Sequence, residues 1–423
     1  MVELKNKNTG LLESIAKSKE ERKEIREWSF LFLGAAIGSG ILILPLQAGK
    51  VTLLATLIAM IIAIPGVYIG NSLMVKMNAT TPKCNSYDSS IEFHLGKKVG
   101  YVLSLIYILL IFTILVIVGT SATSNFAAVL QYYGHMNSSI ASFPIYIGIF
   151  LAIVILPLLF GQNFLLSLIE KIVALKIVIL LILILMFIPL WHSENMHRVL
   201  SLSTNNLGSG ILEMLPVLIF GVGYFTAIAT MMSSLQKKYG ETNIKLLCGK
   251  GNRSNMIALV LVGVLMFLFI GSSLFALSIS SLDFAAKNNL TALSVIAKNS
   301  SSGLFSQFSI FIGFFISLLA ILTSVYAVSV GVIDSVASRL PKRAQNYKKI
   351  ITIVIFFVLF IWIALNINIL SFIIHVIAPL IVIFTFFLPA VAVYKSKKLA
   401  QFRGIFPILS IIIGVVVLIA SLM

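Results

Sequence analysis

Hydrophobic residues are gathered along the chain into long runs that short polar segments separate. Each run is long enough to cross a hydrocarbon core of about 30 Å as an α-helix, which rises 1.5 Å per residue. The runs cover residues 28–49, 52–75, 99–130, 141–160, 165–190, 208–235, 254–280, 304–335, 350–368, 370–394 and 404–422. The pattern therefore predicts an all-α integral membrane protein with eleven transmembrane helices.

The composition leaves no room for a soluble domain. Of the 423 residues, 59% are hydrophobic and only 11% are charged, which is too little polar surface for a water-soluble fold. Residues 1–27 mix both signs of charge and have no short apolar core followed by a cleavage site, so we interpret them as a retained cytoplasmic tail. Residues 28–423 then form a single transmembrane domain, which we place in the cell inner membrane.

The net charge of +17 raises the question of a nucleic-acid partner. If the N-terminus is cytoplasmic, 27 of the 31 Lys and Arg residues fall in cytoplasmic segments, and those left outside are Lys50, Arg198, Lys287 and Lys298. Membrane proteins retain their basic residues on the cytoplasmic side during insertion. Topology alone explains the charge, so we expect no nucleic-acid partner, a cytoplasmic N-terminus and an external C-terminus.

The order of the spans predicts an internal repeat. With the N-terminus inside, the first span runs outward and the sixth runs inward, so two sets of five spans have opposite topology. The first repeat covers about 28–190 and the second about 208–394, with 404–422 as one extra helix. Inverted repeats of this kind are typical of secondary transporters.

Small residues interrupt two spans at equivalent positions of these repeats. The first span contains GAAIGSGILILP, from Gly34 to Pro45, and the sixth contains FGVGY, from Phe220 to Tyr224, just beyond Pro216. Glycine lowers the cost of leaving a helix, and proline has no amide hydrogen for the helical ladder. The sequence therefore predicts that both helices are broken.

Paired breaks of this kind indicate a substrate site at the middle of the membrane, because exposed backbone groups are tolerated there only beside a polar cavity or a ligand. Amides at the first break could bind a carboxylate, and carbonyls at the second could bind an ammonium group. The alternative is that the small residues only allow close helix packing. The candidate substrate-binding residues are Ile37, Gly38, Ser39, Gly40, Phe220, Gly221, Gly223 and Tyr224.

Two segments carry a resemblance to a known family. The run GAAIGSGILILPLQAG and the segment IEFHLGK after the second span are similar to the hydroxy and aromatic amino acid permeases, within the amino acid, polyamine and organocation transporters. The serine and threonine proton-symporter branch is the more similar one. The resemblance covers essentially the whole chain, and it implies a LeuT-like fold with substrate bound between broken helices 1 and 6. After Phe220, where that branch tends to carry polar residues, this chain has Gly-Val-Gly-Tyr.

Lys176 is the candidate coupling residue. It lies eleven residues into the predicted span 165–190, about 16 Å along the helix. Some sodium-independent members of the superfamily carry a lysine in helix 5 where sodium-coupled relatives bind the cation, and Lys176 resembles that lysine. The alternative is an interfacial lysine in a span that starts later. Hydroxyls of Thr323 and Ser324 could face the same cation, although hydroxyls in membrane helices more often bond backbone.

Several functions are excluded or left open. The sequence has no Walker-type phosphate loop, no metal-spaced His/Cys cluster and no nucleophile elbow, so we expect no enzyme, metal or cofactor. Cys84 and Cys248 fall in predicted cytoplasmic loops, which indicates no disulfide. We interpret Glu213 as an interfacial carboxylate, with a gate or proton relay as the alternative.

The leading prediction is a proton-coupled importer of a small amino acid such as serine or threonine, working by alternating access. Two alternatives remain. One is a transporter for aromatic or other neutral amino acids, or one coupled to sodium. The other is a receptor of the same fold that senses amino acids without transporting them.

Overall fold

The chain forms helices throughout the part that can be described. The computed structural model describes residues 2–84, 86–133, 162–200, 206–292, 348–364 and 368–423, together with Gly148, Phe315, Ser324, Val325, Val328, Ser329, Val332 and Val336. The helices are α1 (Val2–Ala36), α2 (Ser39–Ala48), α3 (Leu53–Ala79), α4 (Tyr87–Leu95), α5 (Lys97–Tyr133), α6 (Gln162–Phe187), α7 (Ser193–Leu200), α8 (Leu207–Gly221), α9 (Phe225–Tyr239), α10 (Ile244–Ala276), α11 (Ile279–Lys287), α12 (Lys348–Ala364), α13 (Ile369–Lys395) and α14 (Ile405–Leu422). Short 3₁₀ segments cover Ile188–Leu190 and Lys397–Phe402.

In the described part, seven helical spans are long and apolar enough to cross a membrane when α8 and α9 are counted as one, and α1 with α2 forms an eighth if that bent pair is also counted as one. A shorter apolar stretch, Ile353–Ile363, corresponds to the predicted span 350–368. The predicted spans 141–160 and 304–335 lie almost wholly outside the described residues. The protein is therefore an all-helical membrane protein, and the count of eleven stays a prediction.

Two helices at the polar end of the bundle extend beyond the predicted spans. Residues 2–27 continue as helix directly into the first predicted span, because α1 runs without a break from Val2 to Ala36. Between the predicted spans 208–235 and 254–280, the connection is only four residues long, since α9 ends at Tyr239 and α10 begins at Ile244. Cys248 therefore lies in the second turn of α10 and not in a loop, and both cysteines are free and buried.

Local sequence sets where several helices begin and end. Thr52 caps α3 by accepting a hydrogen bond from the Ala55 amide at 3.1 Å, and Ser86 begins α4 with a capping box to Ser89. The helix α4 ends at Gly96, whose φ of +94° is a conformation that favours glycine. These signals come directly from the amino-acid types at those positions.

Two π-helical turns widen α13, at Ile373–Ile377 and Ile383–Phe387. Each is followed two residues later by a proline, Pro379 and Pro389. A proline inside a helix has no amide hydrogen and its ring clashes with the carbonyl four residues earlier, so a wider turn beforehand relieves the clash. The span 369–395 remains continuous as a result.

The helix α3 lies at the centre of the described bundle. It packs against α8, α9, α10 and α14, and α1 packs along α10. The half-helix α2 packs against α8 and α10. This arrangement brings the interrupted first and sixth predicted spans together.

His94 in the IEFHLGK segment ties three elements together. Its Nε2 lies 3.1 Å from the Met77 carbonyl oxygen at the end of α3, and its Nδ1 lies 2.8 Å from the Ser396 hydroxyl after α13. The ring also contacts the hydroxyls of Thr80 and Thr81. The segment that carries the family resemblance is therefore a structural junction.

Candidate functional site

The first predicted span breaks between α1 and α2. The helix α1 ends at Ala36 and α2 begins at Ser39, with a change of direction of 52°. The Gly38 amide donates to the Ala36 carbonyl at 2.7 Å, only two residues earlier, whereas an α-helical amide donates to the carbonyl four residues earlier. Gly38 itself is extended, with φ of −131° and ψ of −152°, and gives α2 no side-chain cap. Amides at the start of α2 therefore lack helical acceptors.

Pro45 does not make this break. It lies inside α2, as the seventh residue of the helix, whereas the interruption is at Ile37 and Gly38. The prediction that this segment is broken is confirmed, but the break lies at the small residues before Pro45 and not at Pro45 itself. Proline in this position only removes one amide from the interior of α2.

The sixth predicted span is interrupted between α8 and α9. The helix α8 ends at Gly221, and α9 begins at Phe225 without a side-chain cap from Tyr224. The Gly223 amide donates to the Phe220 carbonyl at 3.1 Å, which bypasses the carbonyl of Ile219 that a regular helix would use. Unlike the first break, this one leaves the span straight enough to run from Leu207 to Tyr239 as one unit.

The two breaks touch. A Cβ atom on Gly40 would lie 2.8 Å from the Cα of Gly221 and 3.5 Å from the Phe220 ring. A Cβ atom on Gly221 would lie 3.2 Å from Leu44 Cδ1. Glycine at Gly40 is required by this backbone approach. The structure thus brings the backbones of the two breaks into contact at Gly40 and Gly221.

The predicted substrate-binding residues differ in their surroundings. Ile37, Gly38, Gly40, Phe220, Gly221 and Tyr224 are buried, and Gly223 is half-buried. The backbone of Ser39 starts α2, and its side chain lies outside the described part. Of these residues, Gly40, Phe220 and Gly221 come together where the two breaks meet.

Tyr224 is held by other side chains. Its ring stacks on Phe32 with centroids 4.8 Å apart, and its hydroxyl donates to Asn255 Oδ1 at 2.5 Å. The Asn71 side-chain amide donates to the same Asn255 oxygen at 3.2 Å. The hydroxyl therefore anchors the second break to α3 and α10. Sequence reasoning did not single out Asn71 or Asn255, although both are amides inside apolar runs, a signal that could have found them.

Lys176 is completely buried and lies against the first break. Its ammonium donates a hydrogen bond to the Gly34 carbonyl oxygen, in the last turn of α1. Val173, one turn earlier in α6, packs on Gly34 itself, since a Cβ atom there would overlap its methyl groups. The lysine therefore lies at the broken helix, in the interior of the bundle.

Ser324 approaches the same break. A Cβ atom on Gly38 would overlap its hydroxyl oxygen, so the two residues are in contact. Ser324 is buried. Two of the three predicted coupling residues thus contact the first span near its break: Lys176 at Gly34 and Ser324 at Gly38. Thr323 lies outside the described residues.

Charged groups flank the site at both ends. At the end of α2, the Gln47 side-chain amide donates to Glu213 Oε2 at 3.4 Å, beside a cavity of about 320 Å³ that Lys50 and Arg198 also line. Glu213 is therefore an exposed carboxylate that joins the two half-helices. This contact fits the gate interpretation as well as the interfacial one.

At the opposite end, ion pairs connect α1 to α9 and α10. Glu24 accepts hydrogen bonds from Lys250 at 2.8 Å and from the Tyr239 hydroxyl at 2.6 Å, and it pairs with Lys238 at 3.1 Å. Lys250 is almost fully buried. This cluster, formed by Glu24, Lys238, Tyr239 and Lys250, is called the tail latch below. It fixes the start of the first span to the second half of the sixth.

Comparison with known proteins adds a whole-chain match. Residues 22–422 match the tryptophan/tyrosine permease family. A serine transporter from Escherichia coli O157:H7 is 24% identical, over 92% of this chain and 88% of the relative. A threonine/serine transporter, TdcC, from Escherichia fergusonii is 26% identical, over 90% of this chain and 91% of the relative.

Among solved structures, a manganese transporter mutant from Eremococcus coleocola is similar in fold. It superimposes with a TM-score of 0.62 over 93% of this chain and 84% of its own, at 14% sequence identity. Within the described residues no three His, Cys, Asp or Glu side chains converge as metal ligands would. The likeness to that protein is one of transporter fold.

Proposed function

Because the chain belongs to the tryptophan/tyrosine permease family, we propose that it is a secondary active transporter that imports a small amino acid, serine or threonine, together with protons by alternating access. The contact between Gly40 and Gly221 carries the proposal, since it joins two broken helices into one site. The names of the relatives, serine transporter and threonine/serine transporter, support the same substrate class.

The backbone would recognise both charged ends of the substrate. Amides of Ser39 and Gly40 at the start of α2 would bind the carboxylate, helped by the positive end of the helix dipole. The carbonyl of Ile219, which the Gly223 amide bypasses, would accept a hydrogen bond from the ammonium group. Backbones that touch at Gly40 and Gly221 favour a small side chain over an aromatic one.

The coupling step would involve Lys176. Its ammonium lies where α1 ends, beside Gly34, and Ser324 lies one turn further along the break at Gly38. A fixed positive charge between the first, fifth and eighth spans would take the place of a bound sodium ion, and loss of its proton would loosen the contact with α1. Thr323 would complete the set as a further hydroxyl ligand.

The proposal includes the repeat and the topology. We infer a LeuT-like arrangement of 28–190 and 208–394 as inverted repeats, with 404–422 as an added helix, in the cell inner membrane with a cytoplasmic N-terminus and an external C-terminus. The interruptions between α1 and α2 and between α8 and α9, five predicted spans apart, support the repeat. The distribution of Lys and Arg supports the orientation.

Uptake of a labelled amino acid panel into proteoliposomes, under imposed proton or sodium gradients, tests the function. We expect serine or threonine to accumulate against its gradient when the exterior is acidic, without sodium. Accumulation only of aromatic amino acids, or only with sodium, would support the alternative transporters. A receptor would bind labelled amino acid but accumulate none.

A further inference from the structure

A groove of about 360 Å³ opens at the tail end of the bundle, between α1 and α10. Three arginines line it, Arg22 and Arg26 from α1 and Arg253 from α10. Its apolar wall is formed by Phe30, Met256 and Ile257. Its wall is almost wholly apolar, because the arginines contribute the carbon stems of their side chains to it, and none of the residues proposed to bind substrate lines it.

The carboxylates around this groove already have basic partners. Glu20 pairs with Lys238 at 3.1 Å, and Glu24 pairs with Lys238 and Lys250 in the tail latch. Glu21 lies 3.8 Å from Lys250, and Glu27 lies 3.9 Å from Lys23. Each carboxylate between residues 20 and 27 thus faces a lysine and not an arginine.

The arginines, by contrast, make no ion pair or hydrogen bond with any residue of the described part. Three guanidinium groups around one groove repel one another unless an anion lies between them. Guanidinium groups also match the geometry of a phosphate, to which they donate parallel hydrogen bonds. The charge of the groove is therefore complementary to a phosphate-bearing ligand.

The apolar residues that line the groove favour a lipid over a soluble phosphate as its ligand. Phe30, Met256 and Ile257 are exposed, and the exposed face continues along α10 through Val260 and Val264. These positions repeat every three or four residues, so they form one stripe on the outside of the bundle. An acyl chain would cover this stripe from the end of the groove onwards, whereas a soluble anion would leave it bare.

We propose that the groove binds an anionic phospholipid of the surrounding membrane. The phosphate lies between Arg22, Arg26 and Arg253, and one acyl chain follows Met256, Val260 and Val264 along α10. Basic pockets between transmembrane helices, at the level of the headgroups, are suited to this role. The lipid bridges α1 and α10 on the face of α1 that the tail latch leaves uncovered.

Native mass spectrometry of the purified full-length protein with phosphatidylglycerol tests the proposal. The variant is Arg22→Gln with Arg26→Gln and Arg253→Gln. The control carries Lys97→Gln, Lys98→Gln and Lys245→Gln, which removes the same three charges from exposed positions at the same end of the bundle. We expect the arginine variant to bind phosphatidylglycerol roughly 100-fold more weakly, from about fivefold per guanidinium near the membrane surface, and the control to change little.

Two further arms identify the ligand. Phosphatidylcholine, which has no net charge, should not compete for the site, and inorganic phosphate at millimolar concentration should leave the bound lipid in place. Equal loss in the arginine and lysine variants, or no loss in either, would overturn the proposal. Displacement of the lipid by inorganic phosphate alone would overturn the lipid assignment. A melting temperature near that of the unmutated protein would show that the arginine variant is folded.

Discussion

The ammonium group of Lys176 in α6 donates a hydrogen bond to the Gly34 carbonyl oxygen, in the last turn of α1. In an unbroken helix that carbonyl would accept from the Gly38 amide, which here donates to Ala36 instead. A buried lysine thus takes the hydrogen bond that the broken helix leaves open. This hydrogen bond replaces the one that the break removes from the end of α1.

Replacing Lys176 should separate coupling from binding. In Lys176→Ala, accumulation driven by a proton gradient should disappear, while exchange of substrate at equilibrium survives because the backbone groups of α2 and α8 remain. Lys176→Arg should fail as well, since a guanidinium stays charged at every relevant pH. Uptake into proteoliposomes measures both, with the exposed Lys245→Ala as the control. Proton-driven accumulation in Lys176→Ala, or a requirement for sodium in the unmutated protein, would defeat this mechanism.

A methyl group between the two breaks should be enough to disrupt the site. In Gly40→Ala the new carbon would lie 2.8 Å from the Cα of Gly221, so one of the two backbones must move. We expect uptake to fall at least tenfold while insertion into the membrane is unchanged. Gly271→Ala is the matched control, because a Cβ atom there meets no atom within 4 Å. Uptake by Gly40→Ala at the level of this control would remove the contact from the site.

Opening the tail latch should expose the polar end of α10. Glu24→Gln removes the charge that pairs with the buried Lys250, whose ammonium then favours water over the protein interior. Since Cys248 is buried and lies two residues from Lys250, we expect its labelling by a maleimide to become several-fold faster. Glu27→Gln is the control, because the partner of Glu27 lies on its own helix. Equal labelling rates in the two variants would mean that the latch does not hold this end closed.

His94 should make stability depend on pH. Burial lowers the pKa of His94 to about 4, a trend that the nearby Lys398 charge assists and the Met77 carbonyl opposes. Because the ordinary pKa is 6.5, the unfolded chain takes up the proton at a higher pH than the folded protein does. The free energy of unfolding is therefore greatest above pH 6.5 and falls as the pH is lowered towards 4.

The melting temperature of the purified protein should therefore drop between pH 7 and pH 4.5. In His94→Asn the melting temperature should be lower at pH 7 and change less with acidification, because the titrating group is gone. The same change at His197, which is exposed, should leave the slope as it is. A slope in His94→Asn equal to that of the unmutated protein would assign the acid sensitivity to other groups.

The predicted topology places the start of α10 on the cytoplasmic side and the C-terminus outside. In a background without Cys84 and Cys248, the variant Lys245→Cys should react with an impermeant maleimide only from the cytoplasmic side, because the basic residues of this region mark that side. A tag after Met423 should be reached only from outside. Reaction of Lys245→Cys from outside alone would reverse the orientation.

Much of this architecture was predictable because the membrane leaves few options. Apolar runs of about 20 residues become helices, since a helix lets a single segment satisfy all of its own backbone groups within the bilayer. Glycine clusters at Gly38 and Gly221 predicted where helices are interrupted, because the local cost of leaving a helix depends on residue type. Pro45 misled the prediction, since a proline inside a helix is tolerated when the neighbouring bonds adjust.

Sequence by itself determined that the protein is an all-helical membrane protein with two broken spans and a lysine inside a third. The tertiary structure alone decided that Gly40 touches Gly221, that Lys176 reaches the Gly34 carbonyl, and that Asn255 holds the Tyr224 hydroxyl. These contacts join residues far apart in the chain. Hydropathy and propensity describe each helix separately, whereas distances between helices depend on how all of them pack at once.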